Sequence, residues 1–214
     1  MYTSVQLCDG VDMKVRTDAK RDEIIEIARK TFLELGYERA SMAEIANRLG
    51  GSKATLYGYF PSKEALFLAI VNKLAEQYVS PAVQRLEESG EDEVREALQR
   101  FGEQFLKIIC DPEAVAAFRV VISEAAHSDI GESFFETGPK RTIEAVGRYL
   151  AGAMDRNQLR RADPEIAAQH LTALIAHGEP WHQYFLRKTP SPTPLQIKRM
   201  VERALDVFLN GYKV

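Results

Sequence analysis

The sequence of 214 residues predicts an all-α protein, with short helices at the N-terminus and longer helices behind them. Apolar residues recur at three- and four-residue steps in nearly every segment, which is the period of an α-helix. Serine, glycine and proline stand where such helices begin and end. No run with the alternating pattern of a β-strand rivals these segments. We therefore expect helices only, arranged in two functionally distinct parts.

Three helices are predicted within residues 17–60. Ile24, Ala28 and Phe32 lie on one apolar stripe of the first helix. Ser41 and Glu44 have the spacing of a capping box at the start of the second. In a capping box, each of the two side chains accepts a hydrogen bond from a backbone N–H that lacks a helical partner.

The third helix lies between the pair Gly50-Gly51 and Pro61, and Ser52 is its predicted cap. Ser62 is the next cap and begins a fourth helix, predicted over 63–79. Both short helices are about eight residues long, and a tight glycine turn joins them.

Longer helices are predicted beyond Pro81, which is expected to end the fourth helix. Gly178 and Pro180 should kink or split one of them. Residues 1–15 are expected to form an irregular tail. The predicted later helices span residues 91–110, 112–127, 131–155, 164–186 and 193–210.

The composition is that of an ordinary soluble protein, with 45% apolar and 28% charged residues. No apolar run approaches the roughly 18 residues of a membrane span, and the N-terminus lacks the features of a secretory signal. Cys8 and Cys110 are far apart and have no metal-type spacing. We expect a cytoplasmic protein with reduced thiols, no membrane partner and no cofactor.

The charge is unevenly distributed along the chain, although the net charge is only −3. Residues 14–63 carry ten basic and seven acidic side chains, a balance of +3. Residues 64–214 carry 18 basic and 22 acidic side chains, a balance of −4. A basic N-terminal part on an acidic body is compatible with a surface that faces phosphates.

The two short helices have the lengths of a helix-turn-helix, whose second helix enters the major groove of DNA. Leu56 and Phe60, four residues apart, would bury one edge of that helix. The other edge would then carry hydroxyls and a lysine, with Ala54 small enough to let the backbone approach base edges. The outward residues are expected to be Ser52, Lys53, Thr55 and Tyr59, with Tyr57 at the margin.

An alternative reading is that the two tyrosines are half-buried core residues and that Lys53 and Lys63 are solvated charges. A lone "LYGYF" would favour that reading. The complete arrangement of capping box, Gly-Gly turn, capped short helix and Pro-Ser-Lys restart favours DNA binding instead.

Residues 17–79 resemble the DNA-binding domain of the TetR/AcrR family of transcriptional regulators. The matching features are Gly36-Tyr37, the Ser41 to Ala46 pattern, Gly50, Ser52, the Leu56 to Phe60 run, and Lys63 with Leu66. The resemblance implies a helix-turn-helix domain over 16–62 and a helical regulatory and dimerisation domain over 63–214, with 63–79 as connecting helix.

The resemblance also implies which residues contact DNA. Phosphate contacts are implied for Ser41, Met42 through its N–H, Ser52, Tyr57, Tyr59 and Lys63. Base contacts are implied for Ala43, Lys53, Ala54 and Thr55. Two residues depart from the family pattern. Gly58 replaces a bulky side chain and loosens the third helix, and Gly51 replaces an apolar turn residue.

Residues 118–171 resemble the AefR-like subgroup of this family, with Glu124-Ala125 before a turn, Gly138-Pro139, and Asp163-Pro164 at the start of a helix. The resemblance to the family implies that the C-terminal domain is helical, dimerises through its last two long helices and surrounds an inducer pocket. The apolar faces of the last two helices could equally bury against the chain's own core, and the presence of a helix-turn-helix favours the dimer. The residues expected at the dimer interface are Ile166, Leu171, Ile175, Leu195, Met200, Val201, Leu205 and Phe208.

A set of apolar residues, with few polar anchors, is expected to line the inducer pocket. Any single one of them could instead be plain core. His170, His177 and His182 lack the spacing of a helical metal site, so no metal is expected. The expected pocket residues are Phe105, Ile109, Phe118, Val121, Ile122, Phe134, Tyr149, Leu174, His177 and Trp181.

No signature of an enzyme is present, neither a phosphate-binding glycine loop nor a nucleophile motif. The sequence therefore predicts a ligand-responsive regulator, a homodimer that represses by binding a palindromic double-stranded operator. A small apolar or amphipathic inducer would shift the fourth helix and spread the recognition helices. The alternatives are a helical carrier or interaction module that does not bind DNA, and an activator.

Overall fold

The chain forms helices and no strand over residues 9–90, 93–186 and 190–214, which are the residues described by the computed structural model. The helices fall into two units, of which one ends at Ile70 and the other begins at Val71. The all-helical class predicted from periodicity is confirmed.

The N-terminal unit contains α1 (Asp9–Leu35), α2 (Met42–Leu49), α3 (Lys53–Tyr59) and the start of α4 (Lys63–Leu74). The predicted serine caps of the last three helices are present, because each serine oxygen accepts an N–H of the first turn. Gly50 closes α2 in the left-handed region at φ 68°, which glycine adopts without strain.

The predicted capping box at α2 is only half formed. Ser41 Oγ accepts the N–H of Glu44 at 3.1 Å. The Glu44 carboxylate accepts a hydrogen bond from Arg48 Nε at 2.8 Å, one turn further along the helix. An (i, i+4) ion pair has therefore taken the place of the reciprocal cap.

Aromatic rings fill part of the core of the N-terminal unit. The rings of Phe32, Tyr37 and Phe67 are in mutual contact, with centroids 5.1–5.7 Å apart. Such edge-on and tilted pairs suit the quadrupoles of aromatic rings. The aliphatic side chains buried in this unit include Ile24, Ile25, Ala28, Ile45, Ala46, Leu49, Leu56, Leu66 and Ile70.

The C-terminal unit begins within α4. The helix itself continues from α4 through a π-helical turn into α5 without a break. Pro81 was expected to end the fourth helix, and this is wrong. Proline stands in the first turn of α5, where a helix needs no N–H from it. The π-helical turn is Ala75–Val79 and α5 is Ser80–Glu88.

The remaining helices follow the predicted order with two differences. The helix expected over 131–155 is divided at Gly138, and the one expected over 164–186 ends at Ala176 and resumes as a 3-10 helix. The helices are α6 (Val94–Ile109), α7 (Pro112–Glu124), α8 (Ile130–Thr137), α9 (Pro139–Asp155), α10 (Pro164–Ala176), the 3-10 helix Glu179–Tyr184, and α11 (Pro194–Tyr212).

The backbone at the break after α10 requires glycine at position 178. A Cβ at this position would lie 2.5 Å from the carbonyl oxygen of Leu174, which is backbone and cannot move aside easily. Pro180 follows and lacks the N–H for an α-helical bond. The predicted split near Gly178 and Pro180 is therefore confirmed.

Helices α6, α10 and α11 pack closely in the core of the C-terminal unit. A Cβ at Gly102 would lie 2.6 Å from Val201 Cγ1 and 3.3 Å from Ile175 Cδ1, so the missing side chain permits this approach. The core also draws residues from α5 and α9. Its fully buried large side chains include Leu86, Leu98, Phe101, Leu106, Leu150, Leu159, Leu171, Val201, Leu205 and Phe208.

The predicted irregular tail over 1–15 is wrong for residues 9–15, which belong to α1. Residues 1–8 lie outside the described part of the chain. The boundary predicted after residue 62 stays a functional prediction, since residues 63–70 of α4 group with the N-terminal unit. None of the helices in the described ranges is long and apolar enough to cross a membrane.

Candidate nucleic-acid interface

Helix α3 has one buried and one exposed edge. Leu56 and Phe60 are 0% and 3% exposed and anchor the helix to the unit's core. On the other edge, Tyr57 is 49% exposed and Tyr59 is half-buried. The first turn, from Ser52 through Lys53 and Ala54 to Thr55, is exposed at all four residues. A seven-residue helix thus exposes hydroxyls, an ammonium and a small side chain outside the edge that Leu56 and Phe60 bury.

The hydroxyls of Ser52 and Thr55 are paired with one another. Their oxygens lie 2.9 Å apart, and Ser52 Oγ also accepts the Thr55 N–H at 3.0 Å. One of the two hydroxyl protons therefore remains able to donate outward, because the pair needs only one. The cap fixes the rotamers of both side chains, so an outward donor is held in place before any partner arrives.

The start of α2 offers a second set of donors. Ser41 is exposed, and its Oγ acts as an acceptor for the cap, which leaves the hydroxyl proton available to donate. The Met42 side chain is 8% exposed, so only its N–H, one of the first-turn amides without a helical partner, can face outward. Ala43 is half-buried.

Arg48 fixes α2 against α1. Its guanidinium donates to Glu44 within α2 and to Glu34 on α1. Hydrogen bonds to Glu44 and then to Glu34 raise the pKa of Arg48. The sequence analysis assigned no role to Arg48, and its (i, i+4) spacing from Glu44 was the only available signal.

Lys63 is held by Tyr37. Its Nζ donates to the Tyr37 carbonyl at 3.2 Å and lies 4.0 Å from the centre of the Tyr37 ring. The Tyr37 hydroxyl donates to Glu64 at 3.3 Å. The Glu64 backbone N–H, followed by the Ser62 and Tyr37 hydroxyls, favours the ionised carboxylate and lowers the pKa of Glu64. The N-terminal end of α4, which is the positive end of the helix dipole, thus already interacts with the Glu64 carboxylate.

The two glycines that depart from the family pattern differ in their surroundings. A Cβ at Gly58 would meet nothing within 4 Å, and Gly58 lies inside α3 with unexceptional backbone angles. A Cβ at Gly51 would make an ordinary 3.6 Å contact with Leu49. Neither position requires glycine for steric reasons.

The structure disagrees with part of the predicted inducer pocket. Ile122, His177 and Trp181 are exposed, so they cannot line an enclosed site in this chain. Among the described residues, no three His, Cys, Asp or Glu side chains come together as a metal site would require.

The other predicted pocket residues separate into two groups. Tyr149 is part of the buried core, and Phe105, Ile109 and Leu174 pack against that core. Phe118 contacts Phe134 at 5.8 Å and Tyr184 at 4.7 Å between ring centroids. These three rings form a separate aromatic cluster, to which the sequence analysis contributed Phe118 and Phe134.

Most of the predicted dimer interface is wrong. The side chains that contradict it are at most 2% exposed and belong to the chain's own core, so a partner cannot reach them: Leu171, Ile175, Val201, Leu205 and Phe208. Ile166 is 44% and Leu195 57% exposed, and Met200 is half-buried, so these three remain at the surface. The apolar stripes of α10 and α11 face inward.

Two family profiles match the chain. One, described as bacterial regulatory proteins of the tetR family, matches residues 24–70. The other, described as the C-terminal domain of AefR-like transcriptional repressors, matches residues 96–214, more than half of the chain. The first covers the helix-turn-helix and its supporting helices, and the second covers most of the C-terminal unit.

Individual proteins agree with these profiles. The HTH-type regulator YezE of Bacillus subtilis is 28% identical over 148 residues, 68% of this chain and 75% of YezE. The crystal structure of a TetR-family regulator from Mesorhizobium loti superposes on this chain with a TM-score of 0.83 at 26% sequence identity. The match covers 93% of this chain and 99% of that one. The structure of the flavonoid-responsive regulator FrrA superposes on this chain with a TM-score of 0.70 at 31% sequence identity. The match covers 92% of this chain and 98% of FrrA.

The helix-turn-helix geometry and both matches lead to one conclusion. The chain belongs to the TetR family of DNA-binding transcriptional regulators, with a C-terminal domain of the AefR-like type.

Proposed function

We propose that this regulator is a repressor that binds a two-fold-symmetric operator as a dimer and leaves it when a small apolar or amphipathic molecule binds the C-terminal unit. The observation that carries the proposal is the exposed edge of α3, from Ser52 to Thr55 with Tyr57, on a helix whose other edge is buried. An edge with such donors suits the major groove and its flanking phosphates.

In this proposal the residues on the surface of α2, α3 and the start of α4 have two roles, base contacts and phosphate contacts. Lys53, Ala54 and Thr55, together with Ala43, read base edges, because they begin the two short helices. The hydroxyls of Ser41, Ser52, Tyr57 and Tyr59, the Met42 N–H and the Lys63 ammonium bind phosphate oxygens. Phosphate contacts release counterions, so the affinity should fall steeply with salt.

A dimer is part of the proposal because paired recognition helices read half-sites about 34–36 Å apart. The exposed residues Ile166 on α10 and Leu195 on α11 stay candidates for this interface, and the buried residues are withdrawn from it. A two-fold interface uses the same patch on both copies, so each substitution there acts twice.

A chain of contacts within the C-terminal unit supports the release mechanism. Phe134, in the aromatic cluster, lies on α8, which ends at Thr137. The Thr137 hydroxyl lies 2.9 Å from the Asn72 amide oxygen on α4 and 2.8 Å from the Ser133 carbonyl oxygen, so these two acceptors compete for its one proton. A molecule that displaces the cluster would therefore act on α4, the helix that leads into the DNA-binding unit.

The repressor assignment rests on the AefR-like match. The flavonoid response of FrrA makes an aromatic effector the first class to screen. If the regulator is instead an activator, a reporter gene behind its operator will lose expression when the protein is deleted. A repressor predicts the opposite change.

Selection of bound fragments from a random DNA pool tests the proposal. Wild-type protein should recover a two-fold-symmetric site, and Tyr57→Ala should bind it at least ten-fold more weakly. Tyr78→Ala is a matched control, because Tyr78 is also 49% exposed and lies outside the helix-turn-helix. A pool without a symmetric consensus, or equal losses in both variants, would contradict the proposal.

A further inference from the structure

A buried glutamine in the C-terminal unit has an unused hydrogen-bond donor. Gln183, in the 3-10 helix after α10, is 4% exposed, and its Nε2 makes no hydrogen bond to any described residue. A buried amide without a partner costs the folded state the hydration that it lost. An unsatisfied buried amide of this kind calls for an explanation other than packing, such as a ligand.

Two titratable side chains adjoin the Gln183 amide. This amide lies close enough to the Cys110 thiol and the Tyr184 hydroxyl to act on the pKa of both, but its Nε2 is outside hydrogen-bonding geometry to either. Burial raises the pKa of Cys110 and of Tyr184, and the influence of Gln183, which lowers both, is the smaller one. Both groups are therefore protonated at neutral pH, and the surroundings of Gln183 contain no anion from these two residues.

An arginine holds the backbone around Gln183. The Arg119 guanidinium donates to the backbone carbonyls of Gln183, Tyr184 and Leu186. These bonds hold the end of the 3-10 helix, while Glu179 at its start is paired with Arg203 on α11. The segment that carries Gln183 is thus fixed at both ends.

Aromatic rings adjoin this polar site. The Tyr184 ring contacts Phe118, which contacts Phe134 on α8. Phe118 and Phe134 are half-buried, so part of each ring surface is available to another aromatic body.

We propose that Gln183 Nε2 is the donor that recognises the effector, and that the effector is a largely aromatic molecule with one acceptor oxygen near its end. This inference rests on the proposed function, since it names the chemistry of the molecule that causes release. The oxygen accepts from Gln183, the ring system packs on Phe118 and Phe134, and α8 carries the change to Asn72 through Thr137.

The first test uses the ligand-free protein. Gln183→Met keeps the length of the side chain and removes the unsatisfied amide, so its melting temperature should rise by about 2–4 °C. Gln99→Met is the matched control, because Gln99 Nε2 donates to Glu103 and to the Lys198 carbonyl. The melting temperature of the Gln99→Met variant should not rise. A lower melting temperature for Gln183→Met would show that the glutamine is structural and would overturn the inference.

The second test compares 2-acetylnaphthalene with 2-isopropenylnaphthalene, which replaces the ketone oxygen by a methylene group. Titration of wild-type protein should give a ketone affinity about ten-fold higher, and the ratio should fall to about one in Gln183→Met. No preference in wild type, the same preference in the variant, or no binding of either compound would overturn the inference.

Operator release separates this inference from the proposed function. If other small molecules release wild-type and Gln183→Met protein from DNA equally well, the role of Gln183 is refuted and the repressor proposal stands. If no molecule of a broad library releases the wild-type protein, the repressor proposal itself fails.

Discussion

The ammonium of Lys63 lies over the ring of Tyr37, 4.0 Å from its centre, and donates to the carbonyl of the same residue. Two residues 26 positions apart thus hold a cation at the start of α4. A lysine ammonium has three donors, so it can still bind a phosphate after giving one to Tyr37. The side chain is ordered before DNA arrives, which lowers the entropy lost on binding.

Lys63→Ala should weaken operator and random DNA to a similar extent, because a phosphate contact carries no sequence information. The slope of log Kd against log salt should decrease in magnitude by about one. Fluorescence anisotropy at several salt concentrations measures both quantities. Lys107→Ala, at an exposed lysine of the C-terminal unit, is the control. A change in slope for Lys107→Ala alone would refute this role for Lys63.

Thr137→Val should lower operator affinity about two- to ten-fold in the absence of effector. The variant loses the hydroxyl that contacts Asn72 on α4, and one such bond contributes at most about 0.5–1.5 kcal/mol, because the Ser133 carbonyl four residues earlier competes for the same proton. Thr172→Val is matched to it, since Thr172 also donates to a carbonyl four residues earlier. The control should bind the operator as wild type does. Equal affinities for all three proteins would show that this link does not couple the cluster to DNA binding.

The local features of the DNA-binding unit were predictable from sequence. Ser41 and Ser52 cap their own helices within three residues, so spacing alone identified them. The use of the Glu44 carboxylate was not predictable. Glu44 has two possible partners, and Arg48 competes successfully with the backbone.

The tertiary features were not predictable for a physical reason. Periodicity shows that one face of α11 is apolar, but it does not say whether Val201 meets a partner or its own α6, where Gly102 makes room for it. The bonds from Arg119 to the 3-10 helix span 64 to 67 residues and leave no local pattern. The same holds for the burial of Gln183.

Gly58→Ala should stabilise the protein by about 0.5–1 kcal/mol, because alanine loses less backbone entropy in a helix and its Cβ meets nothing within 4 Å. Gly50→Ala should have the opposite effect, since φ is 68° there and a Cβ in the left-handed region costs about 1–2 kcal/mol. Urea unfolding measures both. A destabilised Gly58→Ala protein would mean that α3 requires this glycine.

The Glu179–Arg203 pair should make stability depend on pH. Hydrogen bonds from Arg203 lower the pKa of the Glu179 carboxyl in the folded state. A lowered folded pKa stabilises the protein above the unfolded value of about 4.3, and this contribution disappears as the pH falls through the folded value.

Glu179→Gln should therefore destabilise the protein by no more than about 1 kcal/mol at pH 7, because the pair is half-exposed. The difference from wild type should shrink as the pH falls below about 4.3. Urea unfolding at a series of pH values measures it, with Glu132→Gln at an exposed position of α8 as the baseline. A difference that stays constant down to pH 3 would contradict the pairing.

Protection of guanine N7 from methylation on the selected operator tests the outward edge of α3 most directly, because that atom lies in the major groove. We expect two protected clusters, symmetric about the operator centre and about 34–36 Å apart, both weakened by Lys53→Ala and unaffected by Lys107→Ala. A single cluster, or protection that Lys53→Ala leaves intact, would contradict the assignment of α3 as the recognition helix.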